Sequence, residues 1–258
     1  MSTRLGLVLV RALIAAGSIG AAPPAASDAS DMSVTWLTGR IYLVEDTHFD
    51  ATNSLFYIGD SSVTVVGATW TPDTAKELAA RVRSLTDLPI REVIDTSPDP
   101  EWSGGNAYWR DAGTEVVAAT VTCDELSRTW SLTVAEVRLS HPGYPQLPLA
   151  SPTKCLPSQF GLQNGAVRAY YLGPSHTRAD IFVYFPKEEV LDAGSILKPF
   201  LGNMAKANVE EYPKTLRKLQ DLRLNIRMII SGHWSAVHGP DLVDHYLDLL
   251  VRSRPAVK

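Results

Sequence analysis

Acidic and imidazole side chains recur in short loops of this chain. Ser97-Pro98-Asp99-Pro100-Glu101 puts two carboxylates one residue apart. Gly173-Pro174-Ser175-His176-Thr177 and Ile230-Ser231-Gly232-His233-Trp234 each carry a histidine. Asp99, Glu101, His176 and His233 together make a two-carboxylate, two-imidazole set, which suits zinc, iron or manganese. Either carboxylate could instead serve as a general base. The spacing is not that of HExxH, HxHxD or CxxC. The plainer reading is that Asp99 and Glu101 cap the next helix and that each histidine satisfies a loop hydrogen bond.

The elements that must position these loops read as strands alternating with helices. Val34 to Glu45 is β-rich. Ser54 to Gly59 and Ser62 to Ala68 flank a tight-turn signal and predict a hairpin. Thr71-Pro72 opens a helix, with Thr as cap and Pro in the first turn. Ala75, Leu78, Ala79 and Val82 then fall on one face. Strands are expected at Arg91 to Thr96, Glu115 to Thr120, Arg168 to Gly173, Asp180 to Pro186, Glu189 to Ala193 and Arg227 to Ser231. Helices are expected at Asn106 to Asp111, Asp124 to Leu139, Pro213 to Leu222 and Asp241 to Arg252. His141 to Phe160 carries five prolines and reads as a loop. Strands mixed with helices of this length predict a layered α/β domain. The three polar loops follow strands, which is where such folds place their sites.

Composition narrows the function. With 258 residues, 45% hydrophobic and 20% charged, the chain is neither disordered nor fibrous. The net charge of -4 leaves no basic field for a phosphate backbone, so a nucleic-acid partner is not expected. Residues 1–30 have the layout of a secretory signal peptide, with Arg4 before an apolar run and small residues after it. Residues 31–258 are then the domain, periplasmic or secreted, with no transmembrane anchor after signal removal. Cys123 and Cys155 could pair in such a compartment, but two cysteines are too few to argue connectivity.

Val66-Gly67-Ala68-Thr69-Trp70-Thr71-Pro72-Asp73-Thr74-Ala75 resembles the metallo-β-lactamase family, closest to its mono-zinc, carbapenem-selective subclass. The likeness continues in Gly104-Gly105-Asn106-Ala107-Tyr108-Trp109, Gly173 to Thr177, Ile181 to Pro186, Ile196-Leu197-Lys198, Leu201-Gly202-Asn203, Gly232-His233 and His238-Gly239-Pro240. It spans about residues 33 to 252. The resemblance implies an αββα sandwich, a monomer, and a metal-dependent hydrolase opening a β-lactam or related cyclic amide or ester. Zinc is the implied cofactor, with iron, manganese or no metal as alternatives. The partner is a small anionic substrate such as a β-lactam. Lys198 matches the lysine that meets the substrate carboxylate, and Asn203 the asparagine that helps orient it.

The metal positions depart from the family. Its Asn-x-His-x-Asp pattern is here Ser97-Pro98-Asp99-Pro100-Glu101, and its cysteine ligand is Ser195. His233 is kept, as is His176 of the other half-site. The implied metal set is therefore Asp99, Glu101, His176, Ser195 and His233, with Asp99, Glu101 and His176 as catalytic groups. A serine hydroxyl ionises far less readily than a thiol. Glu101 keeps the charge of the family's Asp but reaches one methylene further. The alternative is a non-catalytic ligand-binding homologue with a degenerate site. A structural or interaction protein would have Trp102 filling the pocket.

Overall fold

A computed structural model describes residues 31–253. The signal-peptide reading of residues 1–30 lies outside the described residues. In chain order the elements are β1 (Met32–Thr38), β2 (Ile41–Asp46), β3 (Thr52–Ile58), β4 (Val63–Val66), α1 (Pro72–Leu85), β5 (Ile90–Ile94), α2 (Pro100–Ser103), α3 (Asn106–Asp111), β6 (Glu115–Ala119) and α4 (Thr120–Ser140). There follow β7 (Lys154–Leu156), β8 (Gln159–Leu162), β9 (Val167–Tyr170), β10 (Phe182–Phe185), β11 (Val190–Asp192), α5 (Tyr212–Asp221), β12 (Met228–Ile230), β13 (Val237–His238) and α6 (Leu242–Arg252).

Two sheets result. The first runs β1-β2-β3-β4-β5-β6-β7, antiparallel through β4 and parallel from β4 to β7. The second runs β13-β12-β11-β10-β9-β8, with β11 and β12 its parallel pair.

Strand residues alternate between faces, and this alternation builds three apolar layers. Leu55, Val66, Ile94 and Val117 of the first sheet meet Ala169, Val183, Phe185 and Ile230 of the second in the central layer. Their strand neighbours Phe56, Val65, Val93 and Val116 point the other way, onto Ala75, Leu78, Ala79 and Val82 of α1 and Trp109 of α3. On the far side, Phe182, Tyr184, Leu191 and Ile229 pack against Leu216 and Leu219 of α5 and Val243, Tyr246 and Leu250 of α6. The architecture is therefore the αββα sandwich.

The predicted face of α1 is the buried one, and Thr71 and Thr74 form its capping box. Two expectations are corrected. The single β-rich stretch from Val34 to Glu45 is two strands, because Gly39 turns the chain at positive φ. The proline-rich stretch is not wholly loop. It contains β7 and leads directly into β8. Pro152 and Pro157 flank β7 and so cost its ladder no hydrogen bond.

Gly104 and Gly105 let α2 and α3 lie against the Ala68–Trp70 loop. A Cβ at Gly104 would stand 1.8 Å from the Trp70 carbonyl oxygen, and one at Gly105 2.0 Å from that of Ala68. This is backbone against backbone, so no side chain can give way. Trp109 completes the joint by donating its indole N–H to Ala68 O at 3.0 Å.

Candidate active site

The polar loops open together at one edge of the sandwich, around a cavity of about 530 Å³. The loop after β5 and the start of α2 bring Asp99 and Glu101 to it. The β9–β10 connection brings His176, the chain after β11 brings Lys198, Asn203 and Lys206, and the loop after β12 brings His233 and Trp234. Asp50, Ala51, Glu136, Ser140 and His141 complete the lining, with His141 Nε2 3.0 Å from Asp50 Oδ2.

Buried carboxylates and amides hold these loops in place. Asp180 accepts hydrogen bonds from Ser97 Oγ at 2.8 Å, Ser175 Oγ at 3.0 Å, Thr177 Oγ1 at 2.8 Å and the Thr177 backbone N–H. That one side chain ties the Asp99 loop to the His176 turn. Asn53 on β3 donates to Ser231 O at 2.9 Å and Trp234 O at 3.0 Å, which fixes the His233 loop. Burial also pushes the Asp192 carboxyl up to about 7, against the hydrogen bond from the Gly194 N–H that starts the turn into Ser195.

Three hydrogen bonds set the state of His233. Trp102 Nε1 donates to Ser195 Oγ at 3.0 Å, and Ser195 Oγ lies 3.3 Å from His233 Nε2. His233 Nδ1 lies 3.2 Å from Ala51 O, a carbonyl that can only accept. The ring proton is therefore on Nδ1, and Nε2 takes the serine hydroxyl proton. Burial pushes His233 down to about 4, so the ring is neutral at neutral pH.

The other histidine faces a cation. Lys198 Nζ lies 3.2 Å from His176 Nδ1. An ammonium has no lone pair, so Nδ1 accepts and Nε2 carries the proton. Burial, then Lys198, holds His176 below its ordinary value. Burial pulls Lys198 down to about 8, opposed by Asp180, Glu101 and Asp99. Burial and the nearby Asp99 push Glu101 up to about 8, so its carboxyl keeps a proton at neutral pH. Lys206 Nζ donates to Asp99 Oδ1 at 2.7 Å and lies 3.1 Å from Glu136 Oε2. Burial opposes that charge, but Asp99 and Glu136 outweigh it and raise Lys206 above its ordinary value.

Of the residues singled out by sequence, Asp99, Glu101, His176, Lys198, Asn203 and His233 all line the cavity. Ser195 does not. It is buried behind His233 and holds that ring. Asp99 is the N-cap residue of α2, yet its side chain makes no capping bond. Trp102 does not fill the pocket. It is buried beside Gly67 and Gly232, where a Cβ at Gly232 would come within 2.7 Å of its ring. Lys206, Glu136 and Trp234 were not foreseen, and His141 lines the cavity although nothing around it in sequence marks it. Trp234 carries one signal only in the structure, a left-handed backbone (φ 59°) at the rim, with its ring 4.0 Å from that of Phe200.

The donor set does not fit the zinc that the resemblance implies. Among the described residues, no three His, Cys, Asp or Glu side chains gather as metal ligands. Asp99 holds an ammonium, His176 Nδ1 faces another, and the Ser195 hydroxyl is engaged by Trp102 and His233.

The fold and this cavity at the sandwich edge define a metallo-β-lactamase-type domain. No family model matches the chain. It is 26% identical over 204 residues to metallo-beta-lactamase IND-1 of Chryseobacterium indologenes, covering 77% of each. It is 25% identical over 202 residues to a type 2 metallo-beta-lactamase of Bacillus sp. (strain 170), covering 77% of this chain and 72% of that one. Among solved structures, the DIM-1 metallo-beta-lactamase superposes with a TM-score of 0.75 at 16% identity, over 87% of this chain and 99% of that one. FIM-1 from Pseudomonas aeruginosa, in its mono-zinc form, gives 0.75 at 17% identity, over 87% and 96%. The resemblance to the metallo-β-lactamase family read from the sequence holds, and the fold is the one it implied.

Proposed function

We propose that this chain is a hydrolase opening a β-lactam amide, of which a carbapenem is the test case, or a related small cyclic amide or ester. The convergence of Asp99, Glu101, His176 and Lys198 on one cavity of a metallo-β-lactamase fold carries the reading. The likeness to relatives named metallo-beta-lactamases supports it. The similar FIM-1 structure is a mono-zinc form, which points to zinc as the metal such a site would hold. The side chains here do not fit it as they stand, so the step is assigned to the chain's own groups.

Lys198 and Asn203 receive the substrate carboxylate, with the lysine as a point charge. The Asp99 oxygen that does not hold Lys206 takes a proton from water as its oxygen adds to the carbonyl carbon. His176, with its proton on Nε2, donates to the developing oxyanion. The C–N bond breaks and the departing nitrogen takes the Glu101 proton, after which Asp99 returns a proton to Glu101 through solvent. Two neighbouring carboxyl groups, one charged and one kept neutral, divide the roles of base and acid. A periplasmic or secreted location is part of the proposal. The Cys123–Cys155 disulfide supports it, since such bonds persist in oxidising compartments.

A second reading, binding without turnover, is favoured by the occupied hydrogen-bonding positions of Asp99, Ser195 and His176. One experiment separates the two. Loss of the carbapenem amide absorbance is followed with wild type, Asp99→Asn and Glu101→Gln, beside binding of the same compound by calorimetry. Turnover that falls about 100-fold or more in both variants supports hydrolysis by this pair. Saturable binding with no turnover leaves the second reading. Neither binding nor turnover overturns both.

A further inference from the structure

We propose that Lys206 is a resident cation that takes the place of a metal ion on the Asp99–His176 side of the cavity and closes that side to divalent metals. The side chain is seated between two carboxylates. Its Nζ donates to Asp99 Oδ1 at 2.7 Å and lies 3.1 Å from Glu136 Oε2, on α4. Asp99 is buried, and Lys206 is about one-third exposed. A zinc ion bound by Asp99 would lie about 2.0–2.2 Å from a carboxylate oxygen. That ion would stand within a few ångströms of an ammonium, cation against cation, beside a buried carboxylate.

The loop that carries Lys206 is built to hold it there. Asn203 Oδ1 accepts the Ala205 N–H at 2.9 Å, and Ala207 N–H bonds Met204 O at 3.1 Å, which closes the turn around Lys206. Asn208 N–H then bonds Ser175 O at 3.0 Å, fastening the loop to the His176 turn. His176 on the same side also meets a cation, since Lys198 Nζ lies 3.2 Å from its Nδ1. Two ammonium groups thus meet two side chains of the set that the family resemblance implies for a metal. The positive charge beside Asp99 is thus supplied by the chain itself.

The test measures metal affinity, so it stands apart from turnover. Wild type, Lys206→Ala and Lys206→Arg are expressed with zinc supplied, dialysed and analysed for zinc per chain. Zinc affinity is then measured by competition with a chromophoric chelator. Wild type and Lys206→Arg are expected to hold well under one zinc per chain. Lys206→Ala leaves Asp99 and Glu136 without their cation, and its zinc affinity is expected to rise at least tenfold, with a zinc-dependent gain in Tm that wild type lacks. One zinc per wild-type chain overturns the proposal, as does equal zinc affinity in wild type and Lys206→Ala. If Lys206→Ala does not fold, Lys206→Met replaces it, and the wild-type zinc content still decides against the proposal when it reaches one per chain.

Discussion

Asp192→Asn should change how stability depends on pH, by an amount the structure allows to be worked out. Asp192 ends β11, is buried, and accepts the Gly194 N–H at 3.0 Å through Oδ1. Burial raises its carboxyl from 3.8 to about 7. The folded state therefore holds a proton that the unfolded state has released over that range. The stabilisation is complete below about pH 4 and is lost as pH rises through about 7. A rise of this size corresponds to about 4 kcal/mol at most, at 1.36 kcal/mol per pKa unit. Between pH 5 and pH 8 the loss assigned to this one group is roughly 2–3 kcal/mol by the same linkage. Asparagine keeps the oxygen that accepts from Gly194 and cannot ionise. Urea unfolding of wild type and Asp192→Asn across pH 5 to 8 isolates the term, because every other group titrates in both proteins. The variant should gain on wild type steadily toward pH 8. Parallel stability profiles would refute the reasoning and place the Asp192 charge in a far more hydrated setting.

Further outcomes follow from other parts of the structure. Lys198→Ala should weaken binding of a carboxylate-bearing β-lactam roughly 10- to 100-fold, the size of a lost charge-assisted hydrogen bond, with calorimetry as the check. Replacing both cysteines by alanine removes a bond that closes a sequence separation of 32 residues between α4 and β7. It should cost about 3–4 kcal/mol in urea unfolding by the chain-entropy relation. Gly104→Ala should abolish or severely reduce folded yield, since its Cβ meets a carbonyl oxygen at 1.8 Å, whereas Gly143→Ala, with nothing within 4 Å, should leave Tm within a few degrees. Trp102→Phe keeps most of the ring packing but removes the N–H that Ser195 accepts, and should cost about 1 kcal/mol with the fold retained.

Much of this protein is legible in its sequence because the signals are local. The Thr71-Pro72 helix start, the face of α1 and the hairpin of β3 and β4 rest on near neighbours, where periodicity and turn chemistry act. The family blocks carried the sandwich together with Lys198 and Asn203, and the three strand-end loops carried Asp99, Glu101, His176 and His233. Where each side chain spends its hydrogen bonds depends on residues distant in the chain, and no spacing rule reaches that far. Ser195 stands at the family's ligand position, yet Trp102 draws its hydroxyl behind His233. Lys206 meets Asp99 from 107 residues away, brought there by a loop fastened to the His176 turn. The same packing decided that Cys123 and Cys155 pair and that the proline-rich stretch supplies a seventh strand to the first sheet. Residue types and the family blocks therefore marked six of the groups that reach the cavity, and missed Lys206, Glu136, His141 and Trp234. The tertiary structure decided which of them face each other, and so whether the charge opposite Asp99 belongs to an ion or to the chain.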